Sequence, residues 1–121
     1  DVYRVINDEL NNHIHAGEND MGFHLIKKPY DPDNPLPKNM TLEIVKAFLH
    51  YFFSFEEATV MWAEPDINNT KSIRLLKLLG FEYVETVFMS YKTALVHCLG
   101  KDDYLKFNYV NASSQPRGCL R

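Results

Sequence analysis

Two amphipathic helices, each set between strand-like segments, most restrict what this chain can become. Residues 41–53 place Leu42, Val45, Phe48, Leu49 and Phe52 three and four positions apart, with Glu43, Lys46 and His50 opposite. Ile44, Tyr51 and Phe53 widen the apolar face, as suits a helix lying across a sheet. Residues 58–63 run through Thr59, Val60, Met61 and Trp62 without polar alternation, the pattern of a strand buried on both faces. A second helix shows Ile73, Leu75, Leu76 and Leu79; Asn68 or Asn69 can cap its start and Gly80 can end it. Strand-like segments at 2–6 and 21–26 precede these elements. Two more, at 81–88 and 92–99, follow and read as antiparallel around residues 89–91. The loop 30–39 is long for a strand-to-helix connection, and 7–20 is a polar loop. Two strand–helix–strand crossovers imply one α/β or α+β sheet domain.

Composition narrows the function classes. Of 121 residues, 45% are hydrophobic, which supports one globular domain of modest core. Seven Tyr, eight Phe and one Trp fill that core or an interface. A net charge of −3 with no basic run argues against a nucleic-acid backbone binder. Phosphate can still be held by backbone amides. Of the two cysteines, Cys98 lies in an apolar stretch and reads as a buried thiol, while Cys119 lies in the tail. Such a pair is no disulfide framework and suits a reducing, cytoplasmic setting. No apolar run has membrane-spanning length. The chain begins at Asp1 inside sequence of ordered character, and so reads as part of a longer protein.

Several residues could carry chemistry. His24 stands between Phe23 and Leu25, and its imidazole can take a proton near neutral pH; equally, it can be a satisfied structural histidine. Asp66 follows Pro65 at the end of a central strand, where α/β sheets place ligands, and it also suits a turn. Glu64, two residues earlier, projects to the same side. Asn69 suits a helix cap. His13 and His15 form only a superficial metal pair, and no metal is expected.

The segment 61–81, Met-Trp-Ala-Glu-Pro-Asp-Ile-Asn-Asn-Thr-Lys-Ser-Ile-Arg-Leu-Leu-Lys-Leu-Leu-Gly-Phe, resembles the later half of the GNAT N-acyltransferases. There a strand leads through an Asn into a helix ending in Gly-Phe. Glu64-Pro65-Asp66 is similar to the siderophore-biosynthesis branch, which acylates hydroxylamine side chains such as N6-hydroxylysine. Residues 20–26 (Asp-Met-Gly-Phe-His-Leu-Ile) resemble that branch's Gly-x-His-Leu strand, 41–53 its helix after the cofactor loop, and Tyr91-Lys92-Thr93-Ala94 its closing strand.

The resemblance covers 1–107, with 108–121 as a polar tail. It implies an α+β fold: a GNAT-like mixed sheet flanked by helices, without the family's N-terminal strands and helices. It implies acyl-CoA as co-substrate and a small amine or hydroxylamine acceptor; apart from the resemblance, the many aromatics and an unpaired sheet edge make a homodimer a further option. Catalysis falls to His24 and Asp66. Glu64 and Asp66 meet the substrate. Ile26, Lys38, Asn39, Met40, Thr41, Asn69 and Ser72 meet the cofactor. The family's glycine-rich turn maps to 36–40, Leu-Pro-Lys-Asn-Met, where no glycine stands; Lys38 offers a point charge instead. These departures leave one alternative, an acyltransferase-like module without catalysis that serves in interaction or structure.

Overall fold

The computed structural model describes residues 1–24, 31–35, 37 and 39–109. Its five strands are β1 (Val2–Arg4), β2 (Met21–Phe23), β3 (Val60–Ala63), β4 (Glu82–Phe88) and β5 (Thr93–Gly100); its α-helices are α1 (Met40–Phe53), α2 (Thr70–Leu78) and α3 (Lys101–Tyr109). The strands form one mixed sheet in the order β1-β2-β3-β5-β4. β2 and β3 are parallel, joined through α1, and the other neighbours are antiparallel. This is the mixed sheet flanked by helices that the GNAT resemblance implies, and it settles the α/β or α+β choice left by the residue pattern as α+β.

β3 explains its own unbroken apolar run. Met61 and Ala63 face a core that includes Val45, Leu49 and Phe53 of α1, Leu76 of α2 and Tyr104 of α3. Val60 and Trp62 face a second core built with Val5, Leu10, Val87, Val96 and Cys98. A strand with helices on one side and a folded loop on the other has no face left for polar residues.

Several local expectations are corrected. Val5 and Ile6 do not extend the first strand but form a 3₁₀ turn, Val5–Asn7, and a second, Glu9–Asn12, lies inside the segment expected as loop. Val5 and Leu10 are fully buried, so this segment closes the second core. Ile44 and Tyr51 of α1 are exposed, whereas Phe53 is buried. α3, which the residue pattern left unassigned, stacks the Tyr104 ring on Phe53 at 4.6 Å. Cys98 is buried but disulfide-bonded, which overturns its reading as a free thiol. β2 is described only to Phe23, and Ile26 and Lys38 lie outside the described residues.

Gly22 has a specific steric role. It sits opposite Tyr3 in the β1–β2 ladder. A methyl at Gly22 would collide with the Tyr3 ring and lie 2.5 Å from its hydroxyl. Gly22→Ala is therefore expected to cost about 1–3 kcal/mol through overpacking and to displace the Tyr3 ring. Urea unfolding checks the first effect, and the fluorescence of Tyr3, compared with a Tyr3→Phe background, checks the second.

Candidate functional site

β2 and β3 part company after a short join. Their ladder pairs Met21 with Met61 and Gly22 with Trp62. Beyond that point each strand follows its other neighbour. Val2 pairs with Phe23, and the His24 amide donates to the Asp1 carbonyl at 2.8 Å, so β2 stays with β1. Ala63 pairs with His97, the Leu95 amide donates to the Pro65 carbonyl at 2.9 Å, and Asp66 bridges Ala94, so the chain after β3 stays with β5. The divergence opens a slot in the sheet.

A cavity of about 250 Å³ fills this slot. Asn69, Ser72, Leu75 and Leu76 line it from α2, and His24, Glu64, Asp66 and Lys92 line it from the strand ends. Trp62 belongs to the core away from the helices, and Glu64, two positions on, shares that side. The cavity thus links the two faces of the sheet.

Glu64 organises the polar end. Its side chain has no solvent exposure. The Tyr3 hydroxyl donates to Glu64 Oε1 at 3.0 Å, and His24 Nε2 meets the same oxygen at 2.8 Å. A carboxylate oxygen so placed accepts from Nε2–H, which leaves Nδ1 as the proton-accepting nitrogen. The Asp1 carboxylate lies 3.6 Å from Nδ1, so a proton taken there would place positive charge between two acidic groups. The Tyr3 and His24 rings stack at 4.7 Å and 26°. Burial, and then the nearby Glu64, push the Tyr3 phenol far above its usual range, which keeps it a hydrogen-bond donor. Burial and Glu64 likewise raise the Tyr91 phenol to about 12.

Asp66 lines the same cavity as His24 but does not hold its ring; Glu64 does. The Asp66 Oδ1 accepts from the Asn68 amide at 2.8 Å, an Asx turn that feeds the chain into α2. Asn69 Oδ1 accepts from the Ser72 amide at 3.2 Å, so Asn69 is the cap of α2 as well as part of the cavity wall. Gly80 ends the helical segment at φ 89°.

A second depression of similar size adjoins the first through Ser72 and Leu75. It is lined by Asn39, Met40 and Thr41 at the start of α1 and by Lys71 and Arg74 of α2. Asn39 takes φ 66° and gives no side-chain cap to the helix. Asn is among the residues that tolerate this left-handed conformation best, so it supplies a turn for which glycine is the default. The N-terminal turn of α1 and the cations Lys71 and Arg74 therefore line one hollow, a setting that favours an anion. Of the expected cofactor residues, Asn39, Met40, Thr41 and Ser72 meet here.

Tyr3 and Lys92 were not singled out from sequence, and both belong to the polar end. Tyr3 is 61 positions from Glu64 and is placed by the β1–β2 register. Lys92 donates to the Glu64 carbonyl from the closing-strand motif. Among the described residues, no group of three or more His, Cys, Asp or Glu is arranged to hold a metal. No helix among them is long and apolar enough to cross a membrane.

The same architecture recurs among solved structures. An uncharacterized protein from Bacillus halodurans is 27% identical, with a TM-score of 0.77 over 87% of this chain and 53% of its own. Aminoglycoside acetyltransferase AAC(6')-Ib, solved with coenzyme A and kanamycin, is 18% identical, with a TM-score of 0.71 over 87% of this chain and 60% of its own. The spermidine/spermine N-acetyltransferase SpeG from Vibrio cholerae is 17% identical, with a TM-score of 0.61 over 74% of this chain and 53% of its own. The chain thus spans a little over half the length of these structures. No curated protein matches it. The profile of the acetyltransferase (GNAT) domain matches residues 1–89. With that match extending from β1 beyond β4, and with the mixed sheet parted between β2 and β3, the chain belongs to the GNAT acetyltransferase domain family.

Proposed function

We propose that this protein transfers an acyl group from acyl-CoA to an amine or hydroxylamine nitrogen, with a hydroxylysine-like acceptor in siderophore biosynthesis as the specific reading. The observation that carries the transfer reaction is the slot between β2 and β3. It joins an anion-favouring hollow at α1 to a half-exposed His24 held by the buried Glu64. The phosphate end of the co-substrate would lie against Thr41, Lys71 and Arg74. Its thioester arm would pass Ser72 and Asn69 into the slot. The siderophore reading is supported by the Gly-x-His-Leu and Glu-Pro-Asp segments.

In this reading the acceptor nitrogen attacks the thioester carbonyl, and a C–N bond forms as the carbonyl becomes tetrahedral. His24 Nδ1 takes the nitrogen's proton. The intermediate then collapses, the C–S bond breaks, and the proton passes to the departing thiolate. Holding both reactants in one narrow slot supplies much of the rate through orientation. Asp66, half-buried at the rim, sits where it can attract a cationic or donor-rich acceptor.

The test is release of free CoA thiol from acetyl-CoA with N6-hydroxylysine, lysine or no acceptor. The expected result is acceptor-dependent release, faster with hydroxylysine. Release that no nitrogen acceptor stimulates would favour the module without catalysis.

A further inference from the structure

Among the described residues that line the slot, Lys92 is the one lysine or arginine. Its side chain is 14% exposed, and it comes from a turn that is held on two sides. The Met89 amide donates to the Lys92 carbonyl at 2.9 Å, which closes the turn between β4 and β5. The Glu9 carboxylate accepts from the Ser90 amide at 2.6 Å and from the Ser90 hydroxyl at 2.7 Å. That grip ties the turn to the 3₁₀ segment after β1. The Tyr91 ring centroid lies 5.2 Å from the ammonium. Lys92 therefore reaches the slot from a fixed base.

An ammonium carries three N–H donors. One goes to the Glu64 main-chain carbonyl. Glu64 Oε2 is 3.9 Å away, close enough to balance charge and too far to accept a hydrogen bond. Among the described residues no second acceptor lies within hydrogen-bond reach of the ammonium. A cation largely withdrawn from water, fixed in place and with donors to give, suits an oxygen on which negative charge develops.

We propose that Lys92 is a catalytic residue that donates a hydrogen bond to the thioester carbonyl oxygen and to the oxyanion it becomes. This rests on the acyl-transfer reading. As the acceptor nitrogen attacks, the C–N bond forms and the carbonyl π pair moves onto oxygen, where a Lys92 N–H meets it. On collapse that pair re-forms the carbonyl and the C–S bond breaks. The nitrogen's proton travels by way of His24, and Lys92 gives up none of its own. If Lys92 served only to balance the Glu64 charge, its ammonium would not respond to the acetyl group.

The test uses the full chain, acetyl-CoA labelled with carbon-13 at the acetyl carbonyl, and free CoA as the control that lacks a carbonyl. The expected result is a downfield shift of the bound carbonyl resonance. In protein labelled with nitrogen-15 lysine, the Lys92 Nζ resonance should move further with acetyl-CoA than with CoA. Neither readout needs a variant to fold. Lys92→Met should abolish the carbonyl shift while acetyl-CoA still binds, and should lower kcat by about 10²–10³-fold with KM for acetyl-CoA nearly unchanged. The inference alone is overturned by bound acetyl-CoA with an unshifted carbonyl, by a carbonyl shift that survives in Lys92→Met, or by a Lys92 Nζ that responds alike to both ligands. Absence of binding by either ligand at millimolar concentration overturns the acyl-transfer reading and the inference together.

Discussion

His24→Ala is expected to lower acetyl transfer by about 10²–10⁴-fold, the range for loss of a positioned general base. The loss should fall on kcat, with KM for acetyl-CoA nearly unchanged, because His24 lies at the strand end of the slot and the anion-favouring hollow is formed by α1 and α2. Folding should survive. The His24 side chain is 34% exposed, and its removal forfeits one hydrogen bond and one ring contact. A net loss of about 1 kcal/mol is typical for such a bond. Steady-state kinetics beside a thermal melt separate the two effects. Retained turnover in a folded His24→Ala protein would remove the imidazole from the mechanism.

The second large effect is on stability. Asp20 is fully buried. Its carboxylate accepts from Thr59 Oγ1 at 2.7 Å, Trp62 Nε1 at 2.9 Å and the Gly17 amide at 3.0 Å. These bonds tie the residue just before β2 to β3 and its approach, at the end where the two strands are joined. Asp20→Asn keeps the shape but turns an amide NH₂ toward at least one of these donors. A buried donor left without an acceptor costs about 1–3 kcal/mol. We expect Asp20→Asn to lose about 2–4 kcal/mol in urea unfolding, with the denaturant slope unchanged. Asp20→Ala should lose at least as much. The slot depends on this anchor, since strands that part at one end must be fixed at the other.

Much of the fold was legible because it is local. The spacing of Leu42, Val45, Phe48, Leu49 and Phe52, the apolar run of β3, the Asn69 cap and the Gly80 stop each state their structure within a few residues. The 3₁₀ turns after β1 were not, because Val5 and Leu10 look like strand and loop residues until the second core they close is known. α3 was missed for a similar reason. Its mixed sequence becomes a helix with an inside only through Tyr104 against Phe53.

The site was legible in part. His24, Glu64, Asp66, Asn69 and Ser72 were named from sequence, and all line one cavity. Their pairing was not legible. Parity puts Glu64 and Asp66 on one side, but β3 ends at Ala63 and the Asx turn engages Asp66, so Glu64 is the one that meets the imidazole. Tyr3 enters through cross-strand register opposite Gly22, which no local pattern states. The glycine-poor loop before α1 looked unfit for a phosphate turn, yet Asn39 adopts the left-handed conformation there.

The most direct test is an amide chemical-shift map of the full chain titrated with acetyl-CoA. A co-substrate seated in the sheet opening should shift Phe23, His24, Ala63 and Glu64 together with Thr41, Asn69 and Ser72, saturating along one binding curve. Shifts confined to the surface of β4, or a spectrum unchanged at millimolar acetyl-CoA, would contradict the account.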